Sequence, residues 1–347
     1  MTRSDLLLTG FSSIGAGGAS AGLPDPGLRA NPELIARWTT PGPRRAVLVP
    51  AFRPADVVPG LRTRRLDRLS VWALVGTALA LQDAGIDHST LDPDRVAVVF
   101  GTAFGCVELT EQFLAGLRQN AAQADPILFP ETLANQPGSH VARHFGFRGP
   151  NLTLSAKKAS SEAALVEAAS LLGTGEADCA VVFAGDLLTR SVFAWYEAAG
   201  ALSPACGVDA GRASDGDGTG TVPGEGLVAC VMETREFAER RRAKPYGRYV
   251  GGWIGPDGEA ARRPGVRDVS ALLGRVAAGM DSGDVELMAG PSAVHAEVAG
   301  GAFGGCGLLR LGLALGRLRE SDRRCVMVAS STGCDQFGVL LVEKDPS

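Results

Sequence analysis

Residues 149–186 read GPNLTLSAKKASSEAALVEAASLLGTGEADCAVVFAGD. A strand-like run, NLTLS, leads into a stretch from Ala159 that is small and apolar on nearly every face, and then into the continuous apolar run CAVVFAG. A helix that is apolar all round is buried on all sides, and a strand without polar alternation is covered on both faces. The stretch therefore predicts a buried strand–helix–strand unit at the centre of a layered α/β protein. Lys157 and Lys158 stand where that helix begins. The positive end of a helix dipole disfavours a cation there by about 0.3–1 kcal/mol, so the pair asks for a compensating carboxylate, such as Glu162 one turn on or an acid on another chain.

Outward from this unit the chain alternates short β-branched runs with longer Ala/Leu helices. Strands are predicted at DLLLTGF, AVLVPA, RVAVVFG, GLVACVME, YGRYVGGWI, VELMAG, CVMVASS and GVLLVEK; helices at 69–85, 107–119, 158–173, 233–242, 269–280 and 304–318. The central unit has an echo: the helix opened by Lys158 precedes a strand holding Cys179, and a Gly/Ala/Leu helix opened by Gly304 precedes one holding Cys325, both 21 positions on. Two such units predict a duplicated fold in which the two helices share a layer between two sheets.

A chain of 347 residues, 45% hydrophobic and 21% charged, has ample core for one large domain or two packed halves. Its 34 basic residues are outnumbered by 38 acidic ones, which argues against a nucleic-acid partner, and ERRRAK at 239–244 reads as the exposed end of a helix. The apolar part of MTRSDLLLTGFSSIG is too short for a signal or a membrane span, so a cytoplasmic location and no membrane partner are expected. Seven cysteines without a CxxC pair or a nearby histidine predict neither disulfides nor a metal site, and no cofactor is expected. GDGTGTVPGEG at 216–226 is glycine-rich but precedes a strand, whereas a dinucleotide fingerprint follows one, so it reads as a turn.

Taken in series, ALALQDAGIDHSTLDPDRVAVVFGTAFG, the stretch at 149–186 and GVDAGRASDGDGTGTVPGEGLVACVMETREFAERR resemble successive landmarks of the β-ketoacyl-acyl-carrier-protein synthases. The resemblance runs from about residue 5 to 343. It implies the thiolase-like five-layered α-β-α-β-α duplication, with residues 1–250 and 251–347 as an N-terminal half and a shortened C-terminal half of one packed unit. It also implies a loss of chemistry. Where the family opens its buried helix with a nucleophilic cysteine, this chain has Lys158; where it carries its two catalytic histidines, the matching positions are Ala289 and Gly301. A helix N-terminus activates a thiol and supplies donors to an oxyanion, but a lysine offers no thiolate, and His295 alone cannot replace a pair.

Three readings follow. The chain resembles the chain-length factors of type II polyketide systems, polyene makers included: non-catalytic subunits that pair with an intact ketosynthase, work with an acyl carrier protein and shape a shared acyl tunnel. By that resemblance the helix at 107–117 holds tunnel-wall positions, with Phe104, Thr110 and Phe113 as candidates, and the strand DCAVVFAGD is expected to carry the interface. A second reading is an acyltransferase-like enzyme of altered chemistry using Lys158 as nucleophile or base. The third is a homo-oligomeric acyl-binding scaffold.

Overall fold

The computed structural model describes residues 5–25, 33–34, 45–64, 66–202, 222–255, 285–289, 305–331 and 337–345. In chain order its elements are β1 (Leu6–Gly15), β2 (Gly18–Ala21), β3 (Glu33–Leu34), β4 (Arg45–Ala46), α1 (Arg68–Asp83), β5 (Val96–Gly101), α2 (Val107–Gln119), α3 (Gln136–Phe145), β6 (Asn151–Leu154), α4 (Ser160–Gly173), β7 (Cys179–Asp186), α5 (Arg190–Ala198), β8 (Gly226–Thr234), α6 (Arg235–Arg240), β9 (Gly247–Gly255), β10 (Val285–Ala289), α7 (Cys306–Glu320), β11 (Cys325–Ser331) and β12 (Phe337–Glu343).

The strands form one hydrogen-bonded path, β6-β5-β7-β8-β1-β9-β12-β11-β10, with β2 paired to β1. Strands β6, β5 and β7 run parallel, as do β10 and β11; β7–β8, β8–β1, β9–β12 and β12–β11 are antiparallel. Strand β1 pairs with β8 along most of its length, interrupted by a bulge between Leu8 and Gly10, and with β9 only through Leu6–Leu8. It is the seam between two sheets.

Period-2 side-chain alternation assigns the two faces of the first sheet. On β5 and β7, Val96, Val98, Phe100, Cys179, Val181 and Phe183 join the core under α1 and α3. Ala97, Val99, Ala180, Val182 and Ala184 face the other way, into a second core made with α4, α7, β11 and β12. Helix α4 packs on β5 and β7 from one side and on β9 and β12 from the other; α7 lies beside it against β11. Small residues on the inner face let these helices come close. At the end of β5, a Cβ on Gly101 would run into the Ser160 carbonyl at the start of α4. Among the described residues the layers are thus α1/α3, first sheet, α4/α7, second sheet, with the two echoed helices sharing the middle, as their sequence predicts.

Several expectations need correction. AVLVPA is not a strand: only Arg45–Ala46 pairs with β3, and Val47 makes one isolated bridge to Gly224. Two helices went unread, α3 because Pro137 and Gly138 sit in its first turn, where proline costs nothing, and α5 because it is short; Thr189 caps α5 by accepting from Val192 N at 3.3 Å. Strand β7, expected to carry an interface, lies between β5 and β8 with every residue buried, so it has no surface to offer. The edge of the first sheet is β6. ERRRAK is only partly a solvated end: Arg241 reaches back to fully buried Glu233 at 2.5 Å and to the Ala84 carbonyl at 2.6 Å. The helix predicted at 269–280 lies outside the described residues.

Candidate functional site

A turn of 3-10 helix, Lys157–Ala159, stands between β6 and α4, so both lysines precede the α-helix and both are exposed. Ser160 builds this turn. Its hydroxyl accepts from Ala156 N at 2.9 Å and lies 2.7 Å from the Lys157 carbonyl and 3.0 Å from that of Thr102. Lys157 adopts φ +50°, a left-handed conformation that costs a non-glycine residue of order 1 kcal/mol or more. This sharp turn presents residue 158, an exposed lysine, just ahead of α4.

The expected pairing of Lys158 with Glu162 is not formed. Among the described residues no hydrogen bond or ion pair holds the Lys158 ammonium, which is exposed. Glu162 turns inward, fully buried, and accepts from Ser161 Oγ at 3.0 Å; the same hydroxyl oxygen accepts from Gly307 N at 3.0 Å, linking α4 to α7. A Cβ on Gly307 would strike the Glu162 carboxyl group, which would have to shift to admit it.

Cys306, which sequence reading passed over, opens α7 beside this point. Burial pushes its thiol pKa up; the positive charges of Arg310 and Lys158 oppose the shift, and Glu162 and Asp186 reinforce it. The two central helices thus bring Lys158, Glu162, Cys306 and Arg310 into one electrostatic neighbourhood. Asp186, at the end of β7, closes the floor, accepting from Thr102 Oγ1 at 2.5 Å, Ala103 N at 3.0 Å and Phe104 N at 2.9 Å. Ala289 is the last residue of β10, in register with Ala329 of β11. Gly301 and His295 lie outside the described residues.

Of the tunnel candidates, Phe104 is half-buried in a small cluster with Leu188, Val192, Phe193 and Tyr196, between the start of α2 and α5. Thr110 Oγ1 lies 3.0 Å from the Cys106 carbonyl and 3.4 Å from that of Thr132. Phe113 is half-buried against Phe129, their centroids 5.5 Å apart. All three sit around α2, whose only buried residue is Leu109, so this helix lies on the molecular surface rather than in the core.

Two buried acids escaped sequence reading because nothing in spacing marks them. Glu225, in the GEG turn, accepts from Val49 N at 3.2 Å, Leu188 N at 3.1 Å and Arg68 Nη1 at 3.1 Å; burial raises its pKa although Arg68 pulls it down. Asp67 caps α1 beside Cys106 and His140. His140 accepts from Arg143 at Nδ1 (2.5 Å), which puts the ring proton on Nε2, 2.7 Å from Glu131. No cluster of His, Cys, Asp and Glu able to hold a metal occurs among the described residues, and none of their helices is long and apolar enough to cross a membrane.

A duplicated α/β sandwich with two buried helices meeting head to head at a tight turn defines a thiolase-type condensing-enzyme scaffold. The β-ketoacyl synthase N-terminal domain matches residues 7–238, and the chain belongs to that family. It is similar to 3-oxoacyl-[acyl-carrier-protein] synthase 2 of Vibrio cholerae, 27% identical over 244 residues covering 69% of this chain and 59% of that protein. It is also similar to the polyketide β-ketoacyl synthase 1 of Streptomyces halstedii, 34% identical over 202 residues covering 54% and 47%. The matched part thus spans about half the length of these curated relatives. Among solved structures it superposes on the ishigamide ketosynthase/chain length factor with TM-score 0.80 at 21% identity, covering 99% of this chain and 100% of that one. A type II polyketide ketosynthase in complex with its acyl-carrier protein gives TM-score 0.74 at 17% identity, covering 99% and 100%. The five-layered thiolase fold is thereby shown.

Proposed function

We propose that the chain is a non-catalytic ketosynthase-like subunit, a chain-length factor, that pairs with an intact ketosynthase and shapes the acyl tunnel of a type II polyketide, polyene or fatty-acyl system served by an acyl carrier protein. One observation carries the reading: a sharp turn, left-handed at Lys157, opens the buried helix where the resemblance places the family's nucleophile, and it presents an exposed Lys158. A scaffold kept while its nucleophile is lost has work other than condensation. Ala289 and Gly301, at the positions of the family's histidines, supply no imidazole to polarise a thioester or assist decarboxylation.

The sheet's open edge supports a place for the partner. Strand β6 pairs with β5 on one side and, among the described residues, with nothing on the other. Such an edge is a template for another strand, so the interface is assigned to β6 and its neighbours in place of β7. Residues 1–250 and 251–347 remain the two halves of one unit in this proposal. Co-expression with a ketosynthase that keeps its Cys and His residues, followed by sizing, should give a heterodimer that extends carrier-bound acyl chains. A monodisperse monomer or homodimer indifferent to the ketosynthase argues for a scaffold instead. An acyl adduct mapped by intact mass to Lys158 argues for the altered enzyme.

A further inference from the structure

Between residues 49–54, the turn at Thr63–Leu66 and the first two turns of α1, the described residues leave a cavity of about 410 Å³. That is the size of a small-molecule site. Val49, Phe52, Leu66, Val71 and Trp72 give it apolar walls, and Arg68 is the charged side chain among them. Pro50 and Pro54 stiffen one wall, since each fixes its own φ, so the backbone there does not readily fold inward to close the space. Trp72 is only 5% exposed and packs into the core under α1, which anchors the other wall.

The charges around this hollow are unbalanced. Arg68 is already engaged: its guanidinium lies 5.6 Å from the Trp72 ring centroid, and Nε and Nη1 donate to Glu108 and Glu225, each at 3.1 Å. Arg53 stands between the lining residues Phe52 and Pro54, and Arg62 and Arg64 flank the lining residue Thr63. All three are exposed, and among the described residues none of their side chains has a hydrogen bond or an ion pair. Of the acids nearby, Asp67 and Glu225 are buried and Glu108 faces Arg68, which leaves Asp56 as the exposed one, and it pairs with none of the three. An apolar hollow suits a hydrocarbon body. Unpaired guanidinium groups at its mouth suit an oxyanion, which arginine holds with charge-assisted and often bidentate hydrogen bonds. Arginines placed only for solubility would need no hollow between them.

We propose that this cavity binds a small amphipathic acid, a free straight-chain carboxylate, with its tail against Phe52, Val71 and Trp72 and its head group among Arg53, Arg62 and Arg64. The site lies under α1, across the first sheet from α4 and the turn at Lys157–Ala159, and the inference does not rest on pairing with a ketosynthase. The test uses the purified full chain without a ketosynthase, whose own acyl site would take up the probe. Decanoate, kept below its micelle threshold, is titrated by calorimetry while tryptophan emission is followed. One saturable site is expected, with an emission change that Trp72→Phe removes while calorimetric binding persists. Decanol, with the same tail and no charge, should bind roughly tenfold more weakly, and decanoate should bind the Arg62→Gln, Arg64→Gln double variant roughly tenfold more weakly, as the loss of one good ion pair implies. Thr63→Trp fills the hollow from a half-buried loop position and should abolish binding. If circular dichroism shows that variant unfolded, Thr63→Leu replaces it and should weaken binding severalfold. No saturable decanoate binding overturns the proposal. So does binding unchanged in both the arginine and the Thr63 variants, which puts the probe elsewhere, or decanol binding as tight as decanoate, which makes the hollow indifferent to charge. Arginine-dependent capture of an acidic carrier protein without decanoate binding also overturns it, in favour of a protein partner.

Discussion

Asp67→Asn is expected to stabilise the fold at pH 8 and to leave it unchanged in acid. Asp67 Oδ1 caps α1, accepting from Ser70 N at 2.7 Å, while Oδ2 has no hydrogen-bond partner among the described residues and the side chain is only 4% exposed. Burial pushes this carboxyl pKa up, outweighing the downward pull of Ser70; Glu108 adds a further rise and His140 opposes it. A carboxyl raised in the folded state is fully stabilising below its unfolded pKa of about 3.9, and that stabilisation is lost as pH climbs through the folded value; each pH unit between the two costs about 1.4 kcal/mol above both. Asparagine caps a helix as well as aspartate does and removes the charge, exchanging one unpartnered buried polar atom for another. A gain at pH 8 of about 1.4 kcal/mol for each pH unit by which the folded pKa is raised, vanishing below about pH 4, follows. Asp67→Ala, which also drops the cap, forfeits about 1 kcal/mol of that gain. Urea unfolding of wild type and both variants from pH 4 to 9 reads it directly. Wild-type and Asn profiles that run parallel, or an Asn variant less stable at pH 8, would refute the reasoning.

Lys158→Met, at an exposed site, should change the stability of the chain alone by no more than about 0.5 kcal/mol and leave the partner's condensing activity in place; urea unfolding and turnover of the complex check both, and loss of turnover in an assembled dimer would restore the altered-enzyme reading. Lys158→Cys should gain no condensing activity without the ketosynthase, measured as product from acyl- and malonyl-loaded carrier protein. Gly307→Ala should cost up to about 2 kcal/mol in thermal or urea unfolding, because overpacking against Glu162 at about 1–3 kcal/mol is offset by the roughly 1 kcal/mol of helix propensity gained; a more stable variant would mean that the carboxyl group moves aside freely. Arg241→Met takes from fully buried Glu233 its ion-pair partner, leaving only the Thr9 hydroxyl, and should cost up to about 3–5 kcal/mol, which a melting curve would register as a large fall in Tm.

Much of the fold was legible because burial writes itself into composition. The unrelieved apolar runs of β5, β7 and β8 and the all-round small residues of α4 admit few other readings, and the echo at Cys179 and Cys325 placed α4 and α7 in one layer. What escaped was decided by partners far away in sequence. That Lys158 would face solvent while Glu162 turned inward depends on the space beside Gly307, 145 positions on. Glu225 became a buried acid because Val49 N and Leu188 N came to it from other segments, and no local pattern records that; Asp67 is a local cap, but its burial comes from segments packed over it.

The seam strand has a consequence for the birth of the chain. Residues Leu6–Leu8 find β9 only at Gly247–Tyr249, and β9 is itself flanked by β12, which ends at Glu343. At 5–20 residues per second, the first strand leaves the ribosome roughly ten to fifty seconds before its second neighbour exists. Throughout that interval the inner face of the first sheet, lined by Ala97, Val99, Ala180 and Val182, has half a sandwich for company. Chaperone demand during synthesis should therefore be set less by the size of this protein than by the wait its topology imposes, and a synonymous slowing of translation ahead of residue 247 should lower soluble yield without altering a single contact.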